Sequence, residues 1–522
     1  MSIHPATNHR HSGPVAWRPL LAVLALAALL RFLPLPSLGP IHYDEGLHLM
    51  EARFLRTAVL HDHFGAAIDV DGLPLVHGKP LHAAILALAQ TVLGDRPWVG
   101  SVAMGVFGLG SVGLCYALAR IWFGQAVALW AALFLATNPW AVLYGRLALP
   151  EADSTFLALL GIYCAASGRE PTLRRATLAG LCASLAMQTN YRWMVVLPLL
   201  FVGIELLFAR ARRSTRGLVG RVALFFLFLA LPLLLTDFVY SALILGERLE
   251  QATRPRTYFE DLAFNVRKFS AQGWATGLRD PLRFPFFILR FGGPILAVAT
   301  AVGLGAAWRR WRNSEDRETL GPGALLLCSL LPPVLLLISA CGFPRCLSLS
   351  HLPWSIAAGL GLADLKGRLG RPVLAPALLV TTQLLTLPWV LPGGSGYGAV
   401  AAWLQARGDT RCLASQAYVL RLYGVEAVGI PDRDARLAEF RARGFRYLVV
   451  DNQVWTSDQT RTWRALERQA TLVFEVPHPA GGSASFSYES PERSLAATWA
   501  RAKGGDWLRP SSLRVYELPT VP

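Results

Sequence analysis

The stretches VALFFLFLALPLLL at residues 222–235 and LLLCSLLPPVLLLISA at residues 325–340 contain no charged residue, and they decide the class of fold. Runs of about 20 apolar residues match the hydrocarbon core of a bilayer, which is about 30 Å thick. Hydrophobic residues make up 53% of the 522 residues and charged residues only 16%. Soluble domains have about 45–50% apolar and about 25% charged residues. This composition excludes a disordered chain and a small disulfide-rich scaffold, and it predicts a mainly α-helical, polytopic membrane protein.

Apolar runs of similar length recur along the chain and predict a bundle of about 11 transmembrane helices in residues 20–396. The predicted spans are 20–36, 97–119, 126–144, 152–167, 174–188, 193–208, 221–245, 286–308, 323–341, 347–363 and 372–392. No small-residue cleavage site follows the first span. We therefore expect the first span to be an uncleaved anchor that follows a cytoplasmic tail at residues 1–19.

The positive charge of the chain follows the predicted topology. The net charge is +16, a value that by itself also suits a nucleic-acid-binding protein. If the N-terminus is cytoplasmic, the predicted cytoplasmic segments hold 18 Lys and Arg against 5 Asp and Glu. Short loops rich in Lys and Arg stay in the cytoplasm. The charge thus argues against nucleic-acid binding and predicts a multi-pass protein of a bacterial inner membrane with its N-terminus inside.

Three regions are predicted to lie outside the membrane. The first outer loop, residues 37–96, contains stretches with helical periodicity at 45–60 and 81–94, which are predicted to be juxtamembrane helices. The outer loop at residues 246–285 is too long for a simple turn. Residues 397–522 contain no spanning run and alternate strand-like stretches at 445–451, 471–476 and 513–518 with amphipathic helical stretches. This pattern predicts a small C-terminal extracytoplasmic α/β domain.

Two adjacent carboxylates open the first outer loop. Asp44 and Glu45 follow Tyr43 just beyond the first predicted span. A carboxylate pair can supply a general base or bind a metal ion. The alternative interpretation is that Asp44 caps the second helix and Glu45 complements its dipole.

Three further polar features are predicted at the same face of the membrane. Lys79 precedes Pro80, a residue that suits the first turn of a helix, and a lysine beside a helix N-terminus favours a phosphate. Asp153 borders an apolar run, where an unpaired carboxylate is costly, and Arg345 lies in a short outer loop. The alternatives are an interfacial lysine and an acid that complements a helix N-terminus. Their convergence on one face favours transfer chemistry on a phosphate-bearing lipid.

The cysteines and histidines have no spacing typical of a metal site. Five of the 7 cysteines lie inside apolar runs, where packing is the expected role. Cys341 and Cys346 are close enough in sequence to allow a disulfide on the outer face. His61 and His63 are better interpreted as solvated loop residues than as metal ligands.

The order and spacing of these motifs resemble the GT-C superfamily of polytopic glycosyltransferases. The most similar branch contains the protein O-mannosyltransferases and the bacterial aminoarabinose transferase that modifies lipid A. Asp44 and Glu45 match the acidic pair in the first outer loop of that branch. The segment Lys79-Pro80-Leu81-His82 is similar to its Lys-Pro-Pro-Leu motif but lacks the second proline.

Two later motifs extend the resemblance to about residues 17–365. The segment Gly145-Arg146-Leu147-Ala148 leads to Asp153, as in the Gly-Arg element that precedes a later span of that branch. Arg345 precedes a Leu-Pro-containing span, although Cys346 stands where the branch has tyrosine.

The resemblance implies a hexosyl- or pentosyltransferase that inverts the sugar as it moves it from a polyprenyl-phosphate donor to a hydroxyl. A glycolipid, a polysaccharide or a protein could supply that hydroxyl on the extracytoplasmic face. The resemblance also implies roles for the polar residues. Asp44 would be the base, Glu45 would assist it, and Asp153 would be a further acid of the site. Lys79 and Arg345 would bind the donor phosphate.

Four neighbouring residues are further candidates for substrate binding: Tyr43, His77, Arg146 and Glu151. Some GT-C members use a divalent metal ion and the protein mannosyltransferase branch is thought not to, so the resemblance leaves the cofactor open. A polytopic transporter or lipid flippase is the competing class, but the chain has no internal repeat and its charged features are in outer loops. A membrane scaffold with an external binding domain would leave the polar cluster unexplained.

Overall fold

Helices make up most of the chain before residue 391 in the computed structural model. The structure describes residues 17–33, 39–40, 43–61, 79–168, 170–245, 257–260, 262–263, 267, 283–313, 320–339, 348–369, 374–390, 395–408, 410–430, 434–451, 466–477 and 512–519. The helices of this part are α1 Trp17–Phe32, α2 Tyr43–His61, α3 Pro80–Leu93, α4 Val99–Phe123, α5 Gln125–Thr137, α6 Pro139–Tyr144, α7 Glu151–Ala166, α8 Leu173–Thr189, α9 Trp193–Arg212, α10 Leu218–Leu245, α11 Arg283–Asn313, α12 Leu320–Ser339, α13 His351–Leu369 and α14 Leu374–Val390.

Each predicted span overlaps at least one helix in the described residues, but the helices differ in length and apolarity. Within the described residues, three helices are long and apolar enough by composition to cross a membrane: Val99–Phe123, Trp193–Arg212 and Leu218–Val239. Several large apolar side chains of α10 face outward, among them Leu231, Leu235 and Phe238. Side chains of this kind are stable on the outside of a bundle where lipid surrounds it. The count of eleven spans stays a prediction.

One predicted span, residues 126–144, is divided in two by a break at Asn138. Pro139 has no backbone N–H and restricts the residue before it to extended conformations. Asn138 has φ −60° and ψ 120°, and its side chain accepts hydrogen bonds from the N–H groups of Trp140 and Ala141. The short helix α6 therefore starts anew and directs the chain into the loop at residues 145–150.

The helices pack around one large apolar core. Small side chains from α5, α8 and α13 lie at its centre, including Ala131, Ala183 and Ala357. Small residues allow helix backbones to approach closely, as is usual for helices in membranes. A second cluster joins α2 and α3 to α4 and the start of α7 through Leu49, Leu86 and Met104. This second cluster holds together the helices that carry or adjoin Glu45, Lys79 and Asp153.

The described part of residues 397–522 forms a five-stranded sheet with helices. Its elements are α15 Tyr397–Ala406, β1 Arg411–Ala414, α16 Ala417–Leu422, β2 Glu426–Gly429, α17 Asp434–Ala442, β3 Tyr447–Val450, β4 Thr471–Pro477 and β5 Ser512–Glu517. The strand order is β2-β1-β3-β5-β4, with β2, β1 and β3 parallel and β5 antiparallel to both of its neighbours. Because apolar side chains cover both faces of β1 and β3, these strands are almost continuously apolar.

The sheet region contacts the first outer loop through α16. Leu422 at the end of α16 is buried in the cluster that also contains Leu49 and Ala52 of α2. Nη2 of Arg53 lies 3.5 Å from the carbonyl oxygen of Leu422. The C-terminal region therefore packs against the helix that carries the acidic pair. Most of the outer loop at 246–285, and the pair Cys341 and Cys346, lie outside the described residues.

Candidate active site

The acidic pair lies in the first turn of α2. Because α2 begins at Tyr43, Asp44 lies inside the first turn rather than at a cap position, and it is half-buried. Glu45 is 1% exposed, and its Oε1 accepts a hydrogen bond from the N–H of Ala148 at 2.8 Å. This bond joins the start of α2 to the loop between α6 and α7. The two adjacent acids therefore have different surroundings, and Asp44 is the more accessible one.

Lys79 contacts helix α2 by a hydrogen bond to the buried His48. Lys79 stands at the N-terminus of α3, directly before Pro80, as the sequence predicts. Its Nζ donates to Nε2 of His48 at 3.2 Å, and Nδ1 of His48 donates to Oε2 of Glu51 at 2.9 Å. Burial, followed by the positive charge of Lys79, lowers the pKa of His48 to about 4. His48 is therefore neutral near pH 7, and its Nε2 can accept a hydrogen bond.

Asp153 is held by a second buried histidine. Its Oδ2 accepts a hydrogen bond from Nδ1 of His82 at 2.7 Å, and its Oδ1 accepts one from the N–H of Ser154 at 2.8 Å. Both side chains of the Asp153–His82 pair are fully buried. Among the described residues, Nε2 of His82 has no hydrogen-bond partner. The His82 ring packs edge-on against His48 with centroids 4.9 Å apart, so the two histidines connect Lys79 to Asp153.

Arg146 and Glu151 are buried and have protein partners. Nη1 of Arg146 donates to the carbonyl oxygen of Leu30 at 3.2 Å, which ties the loop to α1. Oε1 of Glu151 lies 3.5 Å from Nη1 of Arg192. Both arginine contacts hold the loop between α6 and α7 in place. Their roles in substrate binding stay predictions.

A small cavity of about 40 Å³ lies under this loop and contains a buried arginine. Nη1 of Arg31 donates to the carbonyl oxygens of Ala27 and Ala136, while its Nε and Nη2 lack partners in the described part of the chain. Its guanidinium fits because Gly108 and Gly145 have no Cβ, which would come within about 3 Å of Nε. The polar lining includes Ser111, Tyr144, Glu151, Thr155, Ser348 and His351. Such a cavity suits ordered water between Arg31 and the acid in its lining.

The C-terminal region reaches the same site through Tyr423. This residue follows α16, and burial together with the negative charge of Glu45 raises its pKa to about 12. A Cβ on Gly39 would collide with the hydroxyl oxygen of Tyr423, and Oγ of Ser395 donates to the carbonyl oxygen of Pro40. Gly39 and Pro40 therefore contact the C-terminal region.

Several predicted site residues are outside the described part of the chain. Arg345 and His77 lie there, and so does the side chain of Tyr43. In the described residues, no group of three or more His, Cys, Asp and Glu side chains is arranged to hold a metal ion. The structure thus joins Glu45, Lys79 and Asp153 into one region through residues that sequence reasoning did not single out.

The residues missed from the sequence are chiefly His48, Glu51 and His82. His48 and Glu51 are three positions apart, which places them on one side of a helix, and this spacing was the available signal. His82 is separated from Asp153 by 71 positions, so only the packing of α3 against the start of α7 brings them together. Arg31 was also missed, and its signal was that it is a charged residue inside an apolar run.

The fold is similar to that of solved GT-C glycosyltransferases. The fold is similar to that of the oligosaccharyltransferase AglB of Archaeoglobus fulgidus, with a TM-score of 0.57 and 13% identity over 83% of this chain and 68% of AglB. It is also similar to ArnT of Cupriavidus metallidurans bound to undecaprenyl phosphate, with a TM-score of 0.56 and 15% identity over 88% of this chain and 96% of ArnT. At these identities the likeness concerns the fold.

The sequence adds a more particular relationship. Residues 76–235 match the family model of dolichyl-phosphate-mannose-protein mannosyltransferases. The putative mannosyltransferase YycA of Bacillus subtilis is 31% identical over 108 residues, which are 21% of this chain and 16% of YycA. The resemblance to the GT-C superfamily and to its mannosyltransferase-like branch is therefore confirmed. The family match begins just before Lys79 and includes Asp153.

Proposed function

We propose that this protein transfers a sugar, with inversion, from a polyprenyl-phosphate donor to an acceptor hydroxyl at the extracytoplasmic face of a bacterial inner membrane. The observation that carries the proposal is the meeting of three separate segments. Glu45 accepts from the N–H of Ala148, Lys79 donates to His48 of the helix that carries Glu45, and Asp153 is bonded to His82, three residues after Lys79. An acid, a phosphate-binding cation and a second acid are the parts that this reaction needs.

In the proposed reaction Asp44 is the general base. Its carboxylate takes the proton of the acceptor hydroxyl, whose oxygen forms a bond to the anomeric carbon on the face opposite the phosphate. The bond between the anomeric carbon and the phosphate oxygen breaks, and the polyprenyl phosphate leaves with the electron pair. The configuration at the anomeric carbon is inverted because attack and departure occur on opposite faces.

The leaving phosphate needs cations because negative charge accumulates on it in the transition state. We assign this role to Lys79 and Arg345. Lys79 is half-buried at the N-terminus of α3, where the backbone N–H groups also favour an anion. Glu45 keeps the base-bearing turn in position, and Asp153 serves as the second acidic group. Tyr43, His77, Arg146 and Glu151 complete the proposed substrate contacts.

The relatives support the donor class more than the acceptor class. ArnT has been solved bound to undecaprenyl phosphate, and AglB has been solved with a dolichol-phosphate and an inhibitory peptide. A lipid phosphate is common to both structures, and only the AglB structure contains a peptide. The proposal therefore specifies the polyprenyl phosphate and a hydroxyl acceptor, which a glycolipid, a polysaccharide or a protein could supply.

The experiment uses the full chain, purified in detergent or in lipid nanodiscs and supplied with polyprenyl-phosphate sugars. Release of polyprenyl phosphate is followed by mass spectrometry. We expect Asp44→Asn to abolish release without a change in thermal unfolding, because the amide keeps the shape of the carboxylate but cannot take a proton. The matched control is Asp95→Asn, since Asp95 is a surface carboxylate that pairs with Arg53 and Arg56 in the same outer region.

Two outcomes would contradict the proposal. Full release by the Asp44→Asn variant would remove the assigned base. Transport of a solute or lipid across proteoliposomes, without turnover of any lipid-linked sugar, would favour the transporter or flippase class.

A further inference from the structure

Three polar side chains form a hydrogen-bonded row, and the proposed reaction gives a role to only one of them, Lys79. The row begins at Glu51, passes through both ring nitrogens of His48 and ends at Nζ of Lys79, with distances of 2.9 and 3.2 Å. His48 is 1% exposed and Glu51 6% exposed, whereas Lys79 is half-buried. The row thus leads from the buried side of α2 to the lysine at the start of α3.

The direction of the hydrogen bonds in this row is fixed by the chemistry of its two ends. An ammonium group can only donate, so Nε2 of His48 must accept and carry no proton. A neutral imidazole then has its proton on Nδ1, where the carboxylate of Glu51 accepts it. His48 is buried, and burial favours its neutral imidazole because a charged ring would lose the solvation of water. Glu51 therefore selects the only tautomer of His48 that can hold Lys79.

We propose that Glu51 and His48 form a positioning pair that holds the ammonium group of Lys79 ready for the phosphate of the lipid-linked donor. The inference rests on the proposed role of Lys79 as a ligand of that phosphate. A lysine side chain has large rotamer freedom, and fixing it before the ligand arrives reduces the entropy lost on binding. The hydrogen bond to His48 uses one of the three ammonium protons and directs the ammonium group toward the N-terminus of α3.

The first test separates the acceptor function of His48 from its bulk. Binding of undecaprenyl phosphate to the full-length protein in detergent is measured by thermophoresis, with undecaprenol, which lacks the phosphate, as the ligand control. We expect His48→Leu to weaken binding about tenfold, equivalent to about 1.4 kcal/mol, because one charge-assisted hydrogen bond is lost. His48→Gln should recover most of the affinity, since its side-chain oxygen can accept from Lys79.

The second test asks whether Glu51 acts through His48. Glu51→Met removes the acceptor of Nδ1 and keeps the length of the side chain. We expect it to weaken phosphate binding about tenfold in the wild-type background, by the same hydrogen-bond argument. In the His48→Leu background it should have little further effect, because no side chain is left at position 48 for the carboxylate of Glu51 to orient. A merely structural carboxylate would have the same effect in both backgrounds.

The outcomes distinguish failure of this inference from failure of the proposed function. If the wild-type protein binds undecaprenol as well as undecaprenyl phosphate, or if Lys79→Met leaves the binding unchanged, the assigned donor phosphate site is wrong. If Lys79→Met weakens binding but His48→Leu does not, the positioning pair is refuted while the phosphate site stands. Equal effects of Glu51→Met in both backgrounds would also refute the pair. Thermal unfolding of every variant identifies any that fails to fold.

Discussion

The contact between the C-terminal region and the acidic turn predicts that Gly46→Ala impairs the protein. A Cβ on Gly46 would lie 2.6 Å from the backbone nitrogen of Val419 and 2.8 Å from the carbonyl carbon of Tyr418. Both atoms belong to the backbone of α16, so no side-chain rotation relieves the overlap. Alanine at this position must therefore move α16 away from α2. Leu422 at the end of α16 would move too, although it is buried in the cluster that contains Leu49 of α2.

The size of the effect follows from two opposing contributions. Forcing an extra methyl group into a packed contact typically costs about 1–3 kcal/mol. Alanine in a helix is favoured over glycine by about 1 kcal/mol, which offsets part of that cost. We expect a net destabilisation of up to about 2 kcal/mol at the contact. The loss of turnover should exceed what this loss of stability alone would cause. A displacement of about 1 Å in a reacting group can reduce turnover about 100-fold.

The assay compares Gly46→Ala with a glycine substitution that meets no obstacle. A Cβ on Gly113 of α4 would have no atom within 4 Å, so Gly113→Ala should be neutral or slightly stabilising. Turnover of lipid-linked sugar and thermal unfolding are measured for both variants in the same detergent. We expect Gly46→Ala to lose at least tenfold in turnover and to unfold at a lower temperature. If it matches Gly113→Ala in both measurements, the C-terminal region does not support the acidic turn.

Two further predictions concern the buried histidines. His82→Leu should destabilise the protein by about 3–5 kcal/mol, because it leaves the buried carboxylate of Asp153 without its histidine partner. His82→Asn should destabilise it less, because the asparagine amide can still donate a hydrogen bond. Equal stability of the two variants in denaturant unfolding would contradict this prediction. The pKa of His48 is about 4 in the folded protein against 6.5 for the free side chain, so between these values the unfolded chain binds a proton that the folded protein does not. Stability should therefore fall by about 3 kcal/mol as the pH is lowered from about 6.5 to 4, and an unchanged pH dependence in the His48→Leu variant would refute this.

The sequence predicted those features that depend on local patterns. The position of Lys79 before Pro80 predicted the start of α3, and the structure has it there. The strands β3, β4 and β5 lie at the three strand-like stretches of the C-terminal region. Each of these predictions used residues within about ten positions of one another, where periodicity and turn chemistry determine the conformation.

The remaining features depend on contacts between distant parts of the chain. The bond between His82 and Asp153 and the bond between Glu45 and the N–H of Ala148 join residues 71 and 103 positions apart. No pattern within α2 or α3 indicates which later loop they contact. The break at Asn138 was also missed, since the apolar run continues through it and only the proline that follows interrupts the helix.

These long-range contacts explain how the short helix α2 could hold Asp44, the proposed base, in a fixed position. An isolated helix of the length of α2, 19 residues, is only marginally stable, so its own sequence cannot fix the position of Asp44. The start of α2 is supported by Glu45 on the loop between α6 and α7, by Gly46 against α16, and one turn later by His48 next to Lys79. Because the three supports come from separate elements, moving any one of them tilts the same helix. A change in the C-terminal region should therefore alter the position of Asp44 as effectively as a change in the membrane bundle, although no residue of that region needs to touch the sugar.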